Sequence, residues 1–262
     1  MRDERGFALL PVLWLALALA VVAAATAALE REAAGARVLA VERVRLALAA
    51  RSWLPELLDA LARGELLAGM RQRRRLGDLE LEVRVSGESG RVDLGAAEPA
   101  LIEALLAAHG VPPAARARLR DALLDWRDAD DRVRLAGAEA ADYRLAGRPG
   151  PGDRPLYHPA ELVAVMGFDG ELVRRLWDDV TTFTGRAGVE PDLASPALRR
   201  ALGLDPHPPG PRADPAGIYR LDIRVRRGDA AARRIEVVVR REARGWTVLD
   251  WAAPRALGEG GR

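Results

Sequence analysis

The sequence predicts an α+β fold: a long N-terminal membrane-spanning helix packed on a small antiparallel sheet, with a large α-helical domain inserted between strands. Three observations predict it. An almost unbroken apolar run extends from Phe7 to Leu29. Period-two alternation, the mark of a half-buried strand, occurs at 79–85 and again from Tyr219 onward. Between those strands, more than a hundred residues carry helical periodicity.

The apolar run begins abruptly at the Gly-Phe pair of "RGFALLPVLW" and is interrupted only by Pro11 and Thr26. About 20 apolar residues suffice to cross the hydrocarbon layer as a helix. Pro11 falls in the opening turn, where a missing N–H costs least. Asp3 and Glu4 offset Arg2 and Arg5, so the leader lacks the net positive charge of a secretory signal. The competing readings are a cleaved signal ending near Ala25 and Ala28, an uncleaved anchor, and a buried core helix.

Past the run, Val41, Val44 and Leu48 continue a helical stripe, with Arg37, Arg43 and Arg51 elsewhere, so one helix is expected to reach about Trp53. Pro55 predicts a break or a new start, and Leu54, Leu57, Leu58 and Leu61 form a second stripe. "RQRRR" at 71–75 reads as a solvated face or loop. "LELEVRV" is a strand, "SGESG" a turn, and "RVDL" its expected partner strand. Helices are expected from about Glu98 to about Leu204, including 159–166, 170–180 and 195–203.

"DPHPPGPRADPAG" reads as a linker, and three strands follow it. The organisation is thus a leader at 1–6, a membrane helix at 7–29, a helix with first strands at 30–97 and an inserted helical domain at 98–204. A linker at 205–217, C-terminal strands at 218–253 and a tail at 254–262 complete it.

Composition removes whole classes of chemistry. The formal charge is +2 from 40 basic and 38 acidic residues, so no broad nucleic-acid footprint is implied. There is no Lys, which excludes a phosphate-loop lysine, a Schiff base and a Ser–Lys pair. There is no Cys, hence no disulfide, thiolate nucleophile or Cys-based zinc site. Four serines lie outside any G-x-S-x-G, and His109, His158 and His207 lack zinc-helix spacing.

The densest acidic constellation is "LLDWRDADDRVRLAGAEAADYRLAG". Numbered as an EF-hand from Asp128 it fails, because Arg132 takes the fifth position and Val133 the turn glycine. Two readings stay open: a calcium site outside the EF-hand pattern, drawn from Asp128, Asp130, Asp131, Glu139 and Asp142, or solvated acids paired with Arg127, Arg132 and Arg134. "ELVAVMGFDGELVRRLWDDV" looks like a helix–hairpin–helix. Asp169 and Glu171 at the turn repel phosphate, so it reads as a packing turn.

These pieces together resemble the K-type minor pseudopilins of type II secretion, the general secretion pathway protein K family. "RGFALLPVLWLALA" is similar to the class III signal of pilin-like proteins, followed in order by "LLDWRDADD", "GAEAADYRL" and "ELVAVMGFDGELVRRL". The resemblance implies processing by prepilin peptidase after Gly6, leaving Phe7 as the methylated first residue. It further implies that Pro11, standing where most pilin-like proteins carry Glu, marks a subunit at the pseudopilus tip. A buried carboxylate is costly unless a cation meets it, and a subunit with nothing above has no such cation to meet.

The family implies a non-enzymatic protein of the inner membrane, single-pass, with its C-terminal domain in the periplasm. Its implied partners are I-type and J-type minor pseudopilins, other pseudopilins, prepilin peptidase and the inner-membrane assembly platform, with Ca²⁺ as a possible ligand. The complex is implied to initiate a pseudopilus that drives protein export across the outer membrane. The rival reading is a membrane-anchored periplasmic metal-dependent enzyme or ligand-binding domain; a minor pilin of a type IV pilus fits the long helical insertion less well. In place of an Asn-containing segment of related chains, this sequence has "VEPDLASPALRRAL".

Overall fold

The computed structural model describes residues 9–207, 209–228 and 232–256. The chain divides into two compact units, Met1–Ala49 and Ala50–Arg262. Described residues of the first unit belong to helix α1, which runs over Leu9–Ala62. Pro55 therefore does not end the helix, contrary to the sequence expectation. A proline inside a helix costs about 3 kcal/mol through its missing N–H and its clash with the preceding turn. Pro55 lies on the exposed side, where the freed carbonyl meets water, while Trp53, Leu54, Leu57, Ala60 and Leu61 are buried. Burial of that face outweighs the local penalty. Among the described residues no helix is long and apolar enough to cross a membrane, and the span expected at 7–29 begins outside them.

The second unit holds a five-stranded antiparallel sheet built from β1 (Arg71–Leu76), β2 (Leu79–Gly87), β5 (Ile218–Arg227), β6 (Arg233–Glu242) and β7 (Gly245–Ala256), in that order. Its inner face follows from alternation. Leu79, Leu81, Val83 and Val85 of β2 and Leu221, Ile223 and Val225 of β5 are buried, while charged residues occupy most even positions. Arg51 stacks over the Trp251 ring at 5.4 Å, and Arg74 bonds Glu56, tying the last turns of α1 to the sheet.

Two strand assignments differ from expectation. "RQRRR" is not a loop but the edge strand β1, reached through a tight turn at Gly77 whose φ of 59° favours glycine. Its low apolar content hid it, yet arginines are what a solvent-facing edge tolerates. Conversely, "RVDL" does not return beside β2. Its strand β3 (Val92–Asp93) pairs in parallel with β4 (Val180–Thr181) inside the inserted domain.

The insertion between β2 and β5 contains α2 (Pro99–Ala108), α3 (Pro113–Arg127), α4 (Ala140–Leu145), α5 (Gly170–Leu176) and α6 (Pro196–Ala201), with short 3₁₀ turns. The 159–166 stretch is such a turn, over Pro159–Ala164, rather than an α-helix. Proline opens α2, α3 and α6, since the first helical residues have no intrahelical use for an N–H. Ile102, Leu105, Leu106, Leu123, Leu162, Leu176 and Leu198 form one buried cluster with Trp126 and Tyr143. The hairpin-like turn packs as expected: Gly167 sits at φ 88° near Leu119, Phe168 is buried, and Asp169 caps α5 by accepting the Leu172 N–H at 2.7 Å.

Long-range polar contacts lock the insertion. Asp93 accepts from the Gly95, Thr184 and Gly185 backbone N–H groups and the Thr184 hydroxyl, all within 2.8–3.0 Å. Asp214, in the stretch expected to be a linker, accepts the Ser89 N–H at 2.8 Å and the Ser89 hydroxyl at 2.9 Å. Ala68 and Arg212 form a bridge, so 212–217, the end of that stretch, is docked along this return path.

Arg220 on β5 donates to both oxygens of Glu88 at 2.7 and 3.0 Å, lies 3.2 Å from Glu236, and is 2% exposed. Arg91 reaches Glu88 at 3.0 Å, Ser86 at 3.0 Å, and the Asp178 carbonyl. Burial alone would raise the Glu88 pKa, but Arg220 and Arg91 hold it below its ordinary value of 4.5. Glu88 thus stabilises the fold above its unfolded pKa, and this contribution is lost as pH falls from about 4.5 through the lower folded value. Glu88→Gln should cost about 3–5 kcal/mol at neutral pH by leaving Arg220 incompletely paired. Chemical denaturation of wild type and variant at neutral pH and in acid checks this, the difference shrinking in acid.

Candidate functional site

Of the residues singled out in the sequence, Gly6 and Phe7 lie outside the described residues, and Pro11 lies in the first turn of α1. The acidic stretch forms a site at the end of α3. Asp125 and Asp128 project from the last turn and C-cap of that helix, and the following chain folds back across them. Arg134 donates to Asp125 Oδ1 and Asp128 Oδ2, each at 2.5 Å, while its backbone N–H reaches Asp125 Oδ2 at 3.2 Å. Gly137 makes the fold-back possible, since a Cβ there would lie 1.8 Å from Asp125 Oδ2. Asp121 accepts the Ala136 N–H at 3.3 Å, so three acids of α3 organise this loop.

The chain then enters α4 through Glu139 and Asp142. Asp142 accepts the Glu139 backbone N–H at 3.0 Å, which fixes the helix start. The Glu139 side chain is different. It is buried at 5% exposure, and although it faces the Asp142 N–H across the capping box of α4, neither carboxylate oxygen makes a hydrogen bond. Asp128 Oδ1 is buried and unpartnered as well. Burial, and after it the charges of Asp125, Asp128, Asp153 and Asp131, push Glu139 up to about 7. A buried carboxylate with bare oxygens in a negative field is costly, and it is relieved either by a proton or by a cation.

The residues proposed from sequence therefore separate by role. Glu139 faces inward with free oxygens, and Asp142 spends one oxygen on the helix cap. Asp130 accepts the Arg132 N–H at 2.9 Å in an exposed turn, and Asp131 is exposed nearby. Asp128, at the C-cap of α3, and Asp125, in its last turn and absent from the sequence set, lie closer to the centre of charge. The i, i+3 spacing from Asp128 is the signal in the sequence that points to Asp125. Among the described residues no three Asp, Glu or His side chains converge as a ready metal cage. Arg127, expected to pair with the acids, instead donates to the Leu94 and Ala97 carbonyls at 3.0 and 2.6 Å.

Comparisons with known proteins agree with this architecture. The family model for type II secretion system protein K matches residues 83–184, from β2 through the acidic site to β4. Type II secretion system protein K of Dickeya chrysanthemi is 30% identical over 159 residues, which cover 60% of this chain. The match spans 39% of that relative's length. A chain of the solved GspK-GspI-GspJ complex from enterotoxigenic Escherichia coli shares the fold. It has a TM-score of 0.64 at 15% identity, over 84% of this chain and 100% of that one. The K-type match thus covers the inserted domain as far as the residues just past β4 and stops before α6.

The field around Glu139 sets a pH dependence. In its protonated form Glu139 is tolerated, so its favourable contribution is fully present below about 4.5 and is lost as pH rises to and past about 7. In chelator, Glu139→Gln should stabilise the chain by about 1–2 kcal/mol at pH 8, after allowance for solvent screening. The gain should vanish below the unfolded pKa. Urea melts at several pH values measure both.

Proposed function

We propose that this chain is a non-enzymatic minor pseudopilin of the type II secretion system, seated at the pseudopilus tip and helping to initiate pseudopilus assembly for export across the outer membrane. The observation that carries the reading is the K-type match over 83–184, set in a sheet interrupted by a helical domain and preceded by a long helix. Gly6 is the processing position, Phe7 the mature first residue, and residues 7–29 the single span in the inner membrane, with the rest in the periplasm. Pro11 replaces a carboxylate that needs a cationic neighbour, which suits a terminal subunit. I-type and J-type minor pseudopilins are the direct partners; the solved relative that shares this fold is itself part of a GspK-GspI-GspJ complex. Other pseudopilins, prepilin peptidase and the inner-membrane assembly platform complete the set.

The mechanism follows from shape and retention of the helix. Cleavage beside a small residue admits the backbone to a peptidase while leaving the apolar helix in the bilayer as the packing element. A head widened by an inserted domain is harder to place within a helical stack than at its end. Terminal amino-acid sequencing and mass spectrometry of membrane-extracted chain should give a methylated Phe7 start only in cells carrying prepilin peptidase. An intact Met1, or a start near Leu29, would reject the reading in favour of an anchored or secreted protein.

Calcium belongs to the same proposal. The bare oxygens of Glu139 and Asp128 are hard donors of the type Ca²⁺ takes in sets of 6–8, and Asp130, Asp131 and Asp142 lie on the adjoining loop and helix. Bound there, the ion would neutralise a cluster that otherwise repels itself, and would fasten the fold-back to α4. Calcium should raise the melting temperature of the full chain with concentration. Glu139→Gln should remove that rise; a calcium response unchanged in the variant would take Glu139 out of the site.

A further inference from the structure

A groove of about 610 Å³ lies where the outer face of the sheet meets the inserted domain. Its floor includes Arg220, Asp222 and Arg234. Leu193, Pro196 and Pro211 contribute an apolar side. Arg84 from β2, Arg224 from β5 and Arg200 from α6 complete it, and all three are exposed.

The acids of this groove are already engaged within the fold. Asp179 lies 2.8 Å from His109 Nε2, and Asp178 accepts from Arg234 at 3.2 Å. Asp222 lies 2.9 Å from Arg234, and Asp192 is bonded by Arg212. The three exposed arginines are not matched in the same way. Arg84 has no ion pair or side-chain hydrogen bond among the described residues, and Arg200 reaches only the Pro196 carbonyl of its own helix at 3.2 Å. Arg224 stands 3.9 Å from Asp222, an acid held more closely by Arg234.

Register sharpens the imbalance. Arg84 lies between Arg71 on β1, a like-charge cross-strand neighbour that disfavours the sheet, and Asp222 on β5, which Arg234 already holds at 2.9 Å. Arg73 on β1 is bound to Glu82 at 2.8 Å and Arg75 lies opposite Glu80, so the like-charge contact is confined to the Arg71 and Arg84 end of the pair. Guanidinium forks match carboxylates in two-point contacts. The volume far exceeds that of one small anion, while the apolar side suits aliphatic stems.

We propose that this groove, with Arg84, Arg200 and Arg224 as its contact charges, docks an extended acidic segment of a partner protein. The inference is independent of the pseudopilin reading, because it concerns binding by the purified chain rather than processing or assembly.

The test is fluorescence anisotropy of the full chain in neutral detergent with labelled hexaglutamate. The peptide should bind and weaken with added salt. Arg84→Gln/Arg200→Gln/Arg224→Gln should lose at least about tenfold in affinity, with each single change losing part of it. Arg132→Gln/Arg144→Gln/Arg186→Gln, three exposed arginines outside the groove, should bind as wild type. Absence of binding, equal loss in both triple variants, or an unchanged affinity in the groove variant would overturn the proposal. So would capture of phosphatidylglycerol vesicles through the same three arginines without peptide binding, which would assign the surface to a membrane.

Discussion

The buried pairing of Arg220 with Glu88 is the interaction on which the second unit depends. Arg220 belongs to the central strand β5, and Glu88 follows β2 at the point where the chain leaves the sheet. A charge in that position has no water to retreat to, so it is tolerated only when every neighbour is in place. Glu236, Arg91, Arg234 and Asp178 supply those neighbours from both the sheet and the insertion. The requirement works as a register mark: a slipped strand or a misplaced insertion would strand at least one buried ion.

The same logic recurs at two other junctions, with different chemistry. Asp93 gathers the loop after β4, and Asp214 gathers the chain returning to β5, each through hydrogen bonds to backbone groups that would otherwise be unsatisfied. Each of these carboxylates has its donors within the fold. Glu139 departs from this rule, which is why it reads as a site and not as a strut. Its neighbours add negative charge instead of donors, and the loop around it is shaped by Arg134 and by the absence of a side chain at Gly137.

Charge also distinguishes the two faces of the sheet. The inner face is aliphatic and satisfied by packing. The outer face is a lattice of arginines and acids, paired both where the insertion sits and along β1 and β2. At Arg84, Arg200 and Arg224 the balance fails, leaving exposed arginines whose neighbouring acid is held by another residue. Folding does not require that surplus, and a like-charge pair such as Arg71 and Arg84 works against it.

The amino-acid order by itself determined the alternating strands β2 and β5 to β7, the amphipathic α3, the packing turn at Gly167, and the insertion of a helical block between strands. Period and turn chemistry are local properties, legible without a partner. It also concentrated the acids between Asp125 and Asp142, though not their division of labour. Only the tertiary structure decided that α1 passes through Pro55, that "RQRRR" is a strand and "RVDL" pairs with β4, and that Glu139 is the carboxylate left bare. Each of those outcomes depends on which surfaces become buried together, a sum over residues far apart in the chain, and burial can override a local preference worth only a few kcal/mol.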